Sequence, residues 1–418
     1  MKTLLLTAFF AGLATCAFAA DAGKYQAVLG DCAGCHGKDL SGGVTLMTPF
    51  GKLVTPNITP DRDTGIGNYT ADDFRAAMKT GMAPGGKRLY PAMPFPYYAR
   101  MSDGDIAALW SYLKTVRPMK KSVDVNQLHF PFNLRVVMTG WDMLFFDAKA
   151  RAGDPSKSAA WNRGAYLVNG PAHCGACHSP KNLFGADKGP LTGAVLQGWY
   201  APDLTSDKTT GLGRWSMADI TEYLETGRNT YSIASGPMAE AVENSTSQMS
   251  DADRQAIAVY LKDLPASRGN GGVATGVEAQ MKAGRDGYDI NCAACHGRDG
   301  KGSALFPPLA GNPNVLQVRD DTIARVVLEG TRAVATVKAP TAPAMPSLGW
   351  KLDNAQAADI LTYIRNTWGN SAPAVSAETV ERVRGALHSG SSPLRPSHRK
   401  RCYAHLPMRA RLRARRGG

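Results

Sequence analysis

Three short segments carry residues able to do chemistry: Cys32-Ala-Gly-Cys35-His36, Cys174-Gly-Ala-Cys177-His178 and Cys292-Ala-Ala-Cys295-His296. They use six of the eight cysteines, and each pair is followed at once by histidine. Two thiols at this spacing reach opposite edges of a haem and add to its vinyl groups, while the adjacent imidazole turns under the iron. Cys-x-x-Cys also serves zinc and thiol redox chemistry. Zinc asks for four ligands, yet the third segment has no other Cys near it, and no other His before the C-terminal tail. A thiol redox site or a disulfide framework gives no reason for the histidine. The expectation is three covalently bound haem c groups, held by Cys32, Cys35, Cys174, Cys177, Cys292 and Cys295, with iron on His36, His178 and His296.

The opposite face of each iron decides between a carrier and a catalyst. Methionine there suits electron transfer, whereas an open position suits peroxide or oxygen chemistry. Met345 is the only methionine between His296 and the tail, in Pro343-Ala-Met-Pro346. Met93 has the same setting in Pro91-Ala-Met-Pro94, and Met238 stands in Gly236-Pro-Met-Ala. Methionine is more often core filler. Met101 and Met249 fit that role, because the equivalent position in the third copy is Leu352. The expected iron ligands are therefore Met93, Met238 and Met345. His173, beside Cys174, reads as a surface residue rather than a rival ligand. Each proximal histidine needs an acceptor for its second ring nitrogen. Pro307-Pro308-Leu309 is a candidate for His296, and no acceptor is evident for the other two.

The elements that must position these groups come in three copies. Each motif follows a short helical segment: Tyr25-Gln-Ala-Val-Leu, Ala165-Tyr-Leu-Val or Gly287-Tyr-Asp-Ile. Each copy closes on a capped amphipathic helix, with Ser102, Ser250 or Asp353 as N-cap and Tyr112, Tyr260 or Tyr363 toward its end. The first two copies also share Pro56-Asn-Ile-Thr-Pro-Asp with Pro202-Asp-Leu-Thr-Ser-Asp, and Gly65-Ile-Gly-Asn-Tyr with Gly211-Leu-Gly-Arg-Trp. The boundaries predicted are a first repeat at 21–118, a connector at 119–155, a second repeat at 156–265, a linker at 266–274, a third repeat at 275–370 and a disordered basic tail at 371–418.

The chain has 418 residues and a net charge of +13, but nine Lys or Arg and no acid fall within residues 388–418. The body is close to neutral, and an exported chain of this kind is not expected to bind nucleic acid. Lys2, the apolar run from Leu4 to Ala14 and Ala17-Phe18-Ala19 form a signal peptide over residues 1–20, so Cys16 is expected to leave with it. No other apolar run is long enough to span a bilayer.

Further segments are specific: Tyr90-Pro-Ala-Met-Pro, Gly164-Ala-Tyr-Leu-Val-Asn-Gly-Pro, Phe306-Pro-Pro-Leu-Ala-Gly-Asn and Trp368-Gly-Asn. With them the chain resembles, over about residues 25 to 385, the tri-haem cytochrome c subunits of bacterial membrane-bound dehydrogenases of the gluconate 2-dehydrogenase and quinoprotein alcohol dehydrogenase kind. The resemblance implies a mainly α fold of three tandem class I cytochrome c-like domains with long loops. It implies a peripheral protein on the periplasmic side of the inner membrane. Electrons would come from a catalytic subunit bearing flavin, quinone or molybdenum and leave for ubiquinone or a terminal oxidase. Substrate chemistry then sits in the other subunit. The alternatives are a free-standing multihaem shuttle and a haem peroxidase. The basic tail has no counterpart in the resemblance.

Overall fold

The computed structural model describes residues 21–148, 152–267 and 272–388. The expected signal peptide and the arginine-rich stretch from 389 onward lie outside them, as do four linker residues. The first repeat contains helices α1 (21–29), α2 (Cys32–His36), α3 (Ala71–Thr80), α4 (Phe95–Tyr98) and α5 (Asp103–Leu113). The connector contributes α6 (Val137–Phe145). The second repeat contains α7 (Ala159–Asn169), α8 (Gly175–His178), α9 (Met217–Thr226), α10 (Pro237–Asn244) and α11 (Asp251–Lys262). The third contains α12 (Glu278–Asn291), α13 (Ala293–His296), α14 (Pro313–Leu316), α15 (Asp321–Glu329) and α16 (Asn354–Arg365), followed by α17 (Ala377–His388). The fold is mainly α. Its largest sheet has three antiparallel strands, with Gly51–Val54 between Thr45–Thr48 and Asn126–Leu128. Among the described residues no helix is long and apolar enough to cross a membrane.

The closing helices start where their caps dictate. Ser102, Ser250 and Asp353 accept from the amides of Asp105, Asp253 and Gln356. Of these three only Asp353 and Gln356 complete the reciprocal box; the Ser102 and Ser250 amides donate instead to the hydroxyls of Tyr166 and Tyr25. Each opening helix crosses its closing helix on a glycine. A Cβ at Gly23 would land on the carbonyl of Ala108 and 2.7 Å from Tyr112 Cβ. At Gly164 it would land on Ala256 and 2.8 Å from Tyr260 Cβ, and at Gly284 on Asp359 and 2.8 Å from Tyr363 Cβ. The repeated tyrosine thus marks a helix crossing that only glycine permits.

Each repeat has its own apolar cluster with its first motif cysteine at the edge. Met101, Leu109 and Phe74 sit near Cys32; Leu167, Ile257 and Met249 near Cys174; Leu361, Ala324 and Leu352 with Cys292. The shared Met101, Met249 and Leu352 position is therefore a core position. The connector is ordered by its own cluster, in which Trp141 and Met138 of α6 pack with Phe95, Tyr90 and Leu128.

Residues 371–388 depart from the disordered tail expected there. Ala372, Val375, Val380 and Val383 are buried in or beside the third cluster. Arg382 bonds Asp321 at 2.7 Å, and Arg384 bonds the carbonyl of Leu352 at 2.7 Å. The apolar 3–4 spacing of Val380, Val383 and Leu387 outweighs the basic composition that follows.

The first two repeats meet through one contact made twice with roles exchanged. Tyr25 Oη donates to Asp253 at 2.7 Å and accepts from the Ser250 amide at 3.0 Å. Tyr166 Oη donates to Asp105 and accepts from the Ser102 amide at 3.1 Å. Each repeat thus caps the other's closing helix, the pattern of an isologous pair within one chain. The second repeat also meets the third: Gln317 donates to the Thr210 carbonyl at 2.6 Å, Thr322 accepts from the Tyr200 amide at 2.7 Å, and Val334 packs on Ala234 and Val242.

Candidate haem-binding sites

The three proximal histidines are held alike. His36 Nδ1 lies 2.8 Å from the Pro56 carbonyl, His178 Nδ1 2.7 Å from that of Pro202, and His296 Nδ1 3.0 Å from that of Pro307. A carbonyl only accepts, so each Nδ1 carries the proton and each Nε2 keeps its lone pair for a metal. Burial holds all three imidazoles below their usual pKa, which favours that neutral form. The Pro307 acceptor was legible in the sequence. Pro56 and Pro202 were not, although both head the segment that the first two repeats share.

Burial pushes the Cys32, Cys35 and Cys174 thiols up to about 12 and Cys292 to about 11. Among the described residues no group of three or more His, Cys, Asp or Glu could hold a metal, and the six motif cysteines are all unpaired.

In the first repeat, Cys32, Cys35, His36 and Met93 line one apolar cavity of about 390 Å³, walled also by Ile66 and Leu113. The structure brings these four expected residues together. Met238 stands in the first turn of α10 and packs with Ala234, Val242, Tyr223 and Val334. Tyr223 in turn packs on the cluster that Cys174 borders. Met345 lies in a two-residue strand paired to Thr331–Arg332 and packs on the cluster containing Cys292.

His173 is not the surface residue expected from its place beside Cys174. Its ring lines the first repeat's cavity, and its Nε2 lies 3.2 Å from the Gly30 carbonyl.

Comparison with known proteins follows the same lines. The cytochrome c family model matches residues 20–117 and 281–368. The chain is 38% identical over 388 residues to the cytochrome c subunit of the alcohol dehydrogenase (quinone) of Gluconobacter oxydans, covering 87% of this chain and 81% of that one. It is 39% identical over 390 residues to the gluconate 2-dehydrogenase cytochrome c subunit of Pantoea cypripedii, covering 87% and 88%. The fructose dehydrogenase cytochrome subunit of Gluconobacter japonicus is 36% identical over 397 residues, covering 87% and 82%. The chain belongs to this family of cytochrome c subunits.

A cytochrome c carries covalently bound haem c, whose porphyrin bears two carboxylates. The residues present fit it. Besides the thiol pairs and the oriented imidazoles, three buried donors of the second repeat, Trp199 Nε1, Trp215 Nε1 and Arg228 Nη1, have no hydrogen-bond partner among the described residues. A buried N–H left alone is costly, and donors of this kind suit an anionic ligand. Sequence reasoning passed over these donors, because tryptophan in a core segment reads as packing.

Proposed function

We propose that this cytochrome c carries three haems and passes electrons from a catalytic dehydrogenase subunit to ubiquinone or the respiratory chain. Haem c supplies one-electron exchange at iron. Cys32 with Cys35, Cys174 with Cys177, and Cys292 with Cys295 would hold one group each by thioether bonds. His36, His178 and His296 would ligate one face of each iron, and Met93, Met238 and Met345 the other. Each repeat would then be a cytochrome c domain, the first over 21–118, the second over 156–265 and the third over 275–370, the last extended by α17.

The observation that carries this reading is the threefold histidine clamp. Three imidazoles, each directly after a Cys-x-x-Cys, have Nδ1 on a backbone carbonyl and are buried against apolar walls. That arrangement prepares three iron ligands, which suits an electron carrier whose substrate is oxidised on another subunit. The relatives are cytochrome subunits of dehydrogenases of alcohols, gluconate and fructose, which supports a catalytic dehydrogenase subunit as the donor. The expected signal peptide supports export to the periplasmic face, with peripheral attachment to the inner membrane.

The test is purification of the mature protein from membranes, with its haems counted by mass and carbon monoxide added after reduction. Three haems, little carbon monoxide binding and reduction by the substrate of a co-purifying dehydrogenase are expected. A colourless protein, or one whose reduced irons all bind carbon monoxide, would defeat the assignment.

A further inference from the structure

His173 and Asp31 hold the same place in the repeat, directly before the first motif cysteine. Both adopt left-handed backbone, at φ 35° and φ 45°. For residues with a Cβ this conformation is unfavourable, so the surroundings must hold it. What holds His173 belongs to the other repeat. Its Nε2–H donates to Gly30 O at 3.2 Å, and its ring stands edge-to-face on Tyr98 at 5.6 Å and Tyr97 at 6.5 Å. Gly30 O is also served by Tyr98 Oη at 3.0 Å, so the histidine bond is not needed to satisfy that carbonyl. The ring lies in the wall of the cavity formed by Cys32, Cys35, His36 and Met93. The two motifs are close neighbours here: Cys177 bears electrostatically on Cys35, and Asp31 on Cys177.

We propose that the first haem site is completed by the second repeat, with the His173 ring as the wall that keeps water from the first haem and so sets its potential. The proposal rests on the haem reading above. An apolar wall raises a haem's potential because the oxidised iron carries one more positive charge, which water stabilises. Opening the wall favours the oxidised state. The same geometry joins the two sites, since His173 is bonded to Cys174 of one and faces the cavity of the other.

The experiment uses the full-length protein matured with haem, counted by mass and titrated spectroelectrochemically. In His173→Ala, one haem is expected to lose about tenfold in its reduced-to-oxidised ratio at fixed potential, about 59 mV for one electron. It should be the haem that Met93→Ala also moves, while the haem moved by Met345→Ala stays in place. His173→Phe keeps the ring and removes the donor, and its potentials should match those of the unsubstituted protein. Should His173→Ala assemble poorly, His173→Gln keeps the hydrogen bond without the ring, and the same fall is expected. A three-haem protein with unmoved potentials in the Ala or Gln variant overturns the proposal. So does a fall confined to the haem moved by Met238→Ala, or a fall in His173→Phe as large as in His173→Ala. A protein that takes up no haem instead overturns the reading beneath it.

Discussion

At the scale of single residues, the site is prepared by backbone carbonyls rather than by charged partners. A proline carbonyl is a neutral, fixed acceptor, so it selects the tautomer without adding charge beside the iron position. Pro56, Pro202 and Pro307 do this from three loops of different length. The methionine assignments are tested one at a time. Met345→Ala is expected to lower the potential of one haem while mass spectrometry still finds three attached. A redox titration that superimposes on the unsubstituted protein would show that sulfur does not ligate there. The histidines and cysteines were singled out from spacing alone, and Pro307 was named as an acceptor. The carbonyls of Pro56 and Pro202 were not, because every residue has one and the fold decides which carbonyl meets the ring.

At the scale of elements, the helix crossing is the most demanding feature. Gly23, Gly164 and Gly284 each meet the backbone of the closing helix where a Cβ has no room. Gly284→Ala must push α12 off α16, or α16 off its core of Leu361 and Ile364. The expected cost is about 1–3 kcal/mol, the usual range for overpacking, read as a lower denaturation midpoint. A Gly85→Ala control faces open space but has φ 74°, so it reports backbone strain without a clash and should cost less. An equal loss in both would argue against the crossing. The closing helices were visible in the sequence through their caps and apolar stripes. The glycines were not singled out, since a helical glycine is informative only once its neighbour across the interface is known. Helix α17 escaped notice for a related reason: its apolar stripe is short, and the basic run after it dominated the composition.

At the scale of the whole molecule, the first two repeats hold each other by the tyrosine exchange. Asp253 feels opposing effects there. Burial raises its pKa, but hydrogen bonds from Arg163 and Tyr25 outweigh this and hold it below the ordinary value of 3.8. A carboxylate depressed in the folded state contributes stability above its unfolded pKa and loses it as pH falls through the folded value. Unfolding of the haem-loaded protein, followed by denaturant at pH 7 and then below about pH 4, should therefore show a falling midpoint. Asp253→Asn should flatten part of that fall. An identical pH profile in Asp253→Asn would mean that Asp253 is not held below its ordinary value in the folded protein.

The amino-acid sequence alone carried the expectation of haem chemistry, because that signal is local: Cys-x-x-Cys-His is read from five consecutive residues, and the repeat shows it three times. It also determined the helical character and the apolar repeat position of Met101, Met249 and Leu352, which depend on periodicity along the chain. Only the tertiary structure decided which carbonyls clamp His36 and His178, which glycines allow the crossings, and that His173 faces a neighbour's cavity instead of solvent. Those are contacts between residues 20 to 143 positions apart, and no local pattern encodes a partner that the fold alone brings within reach.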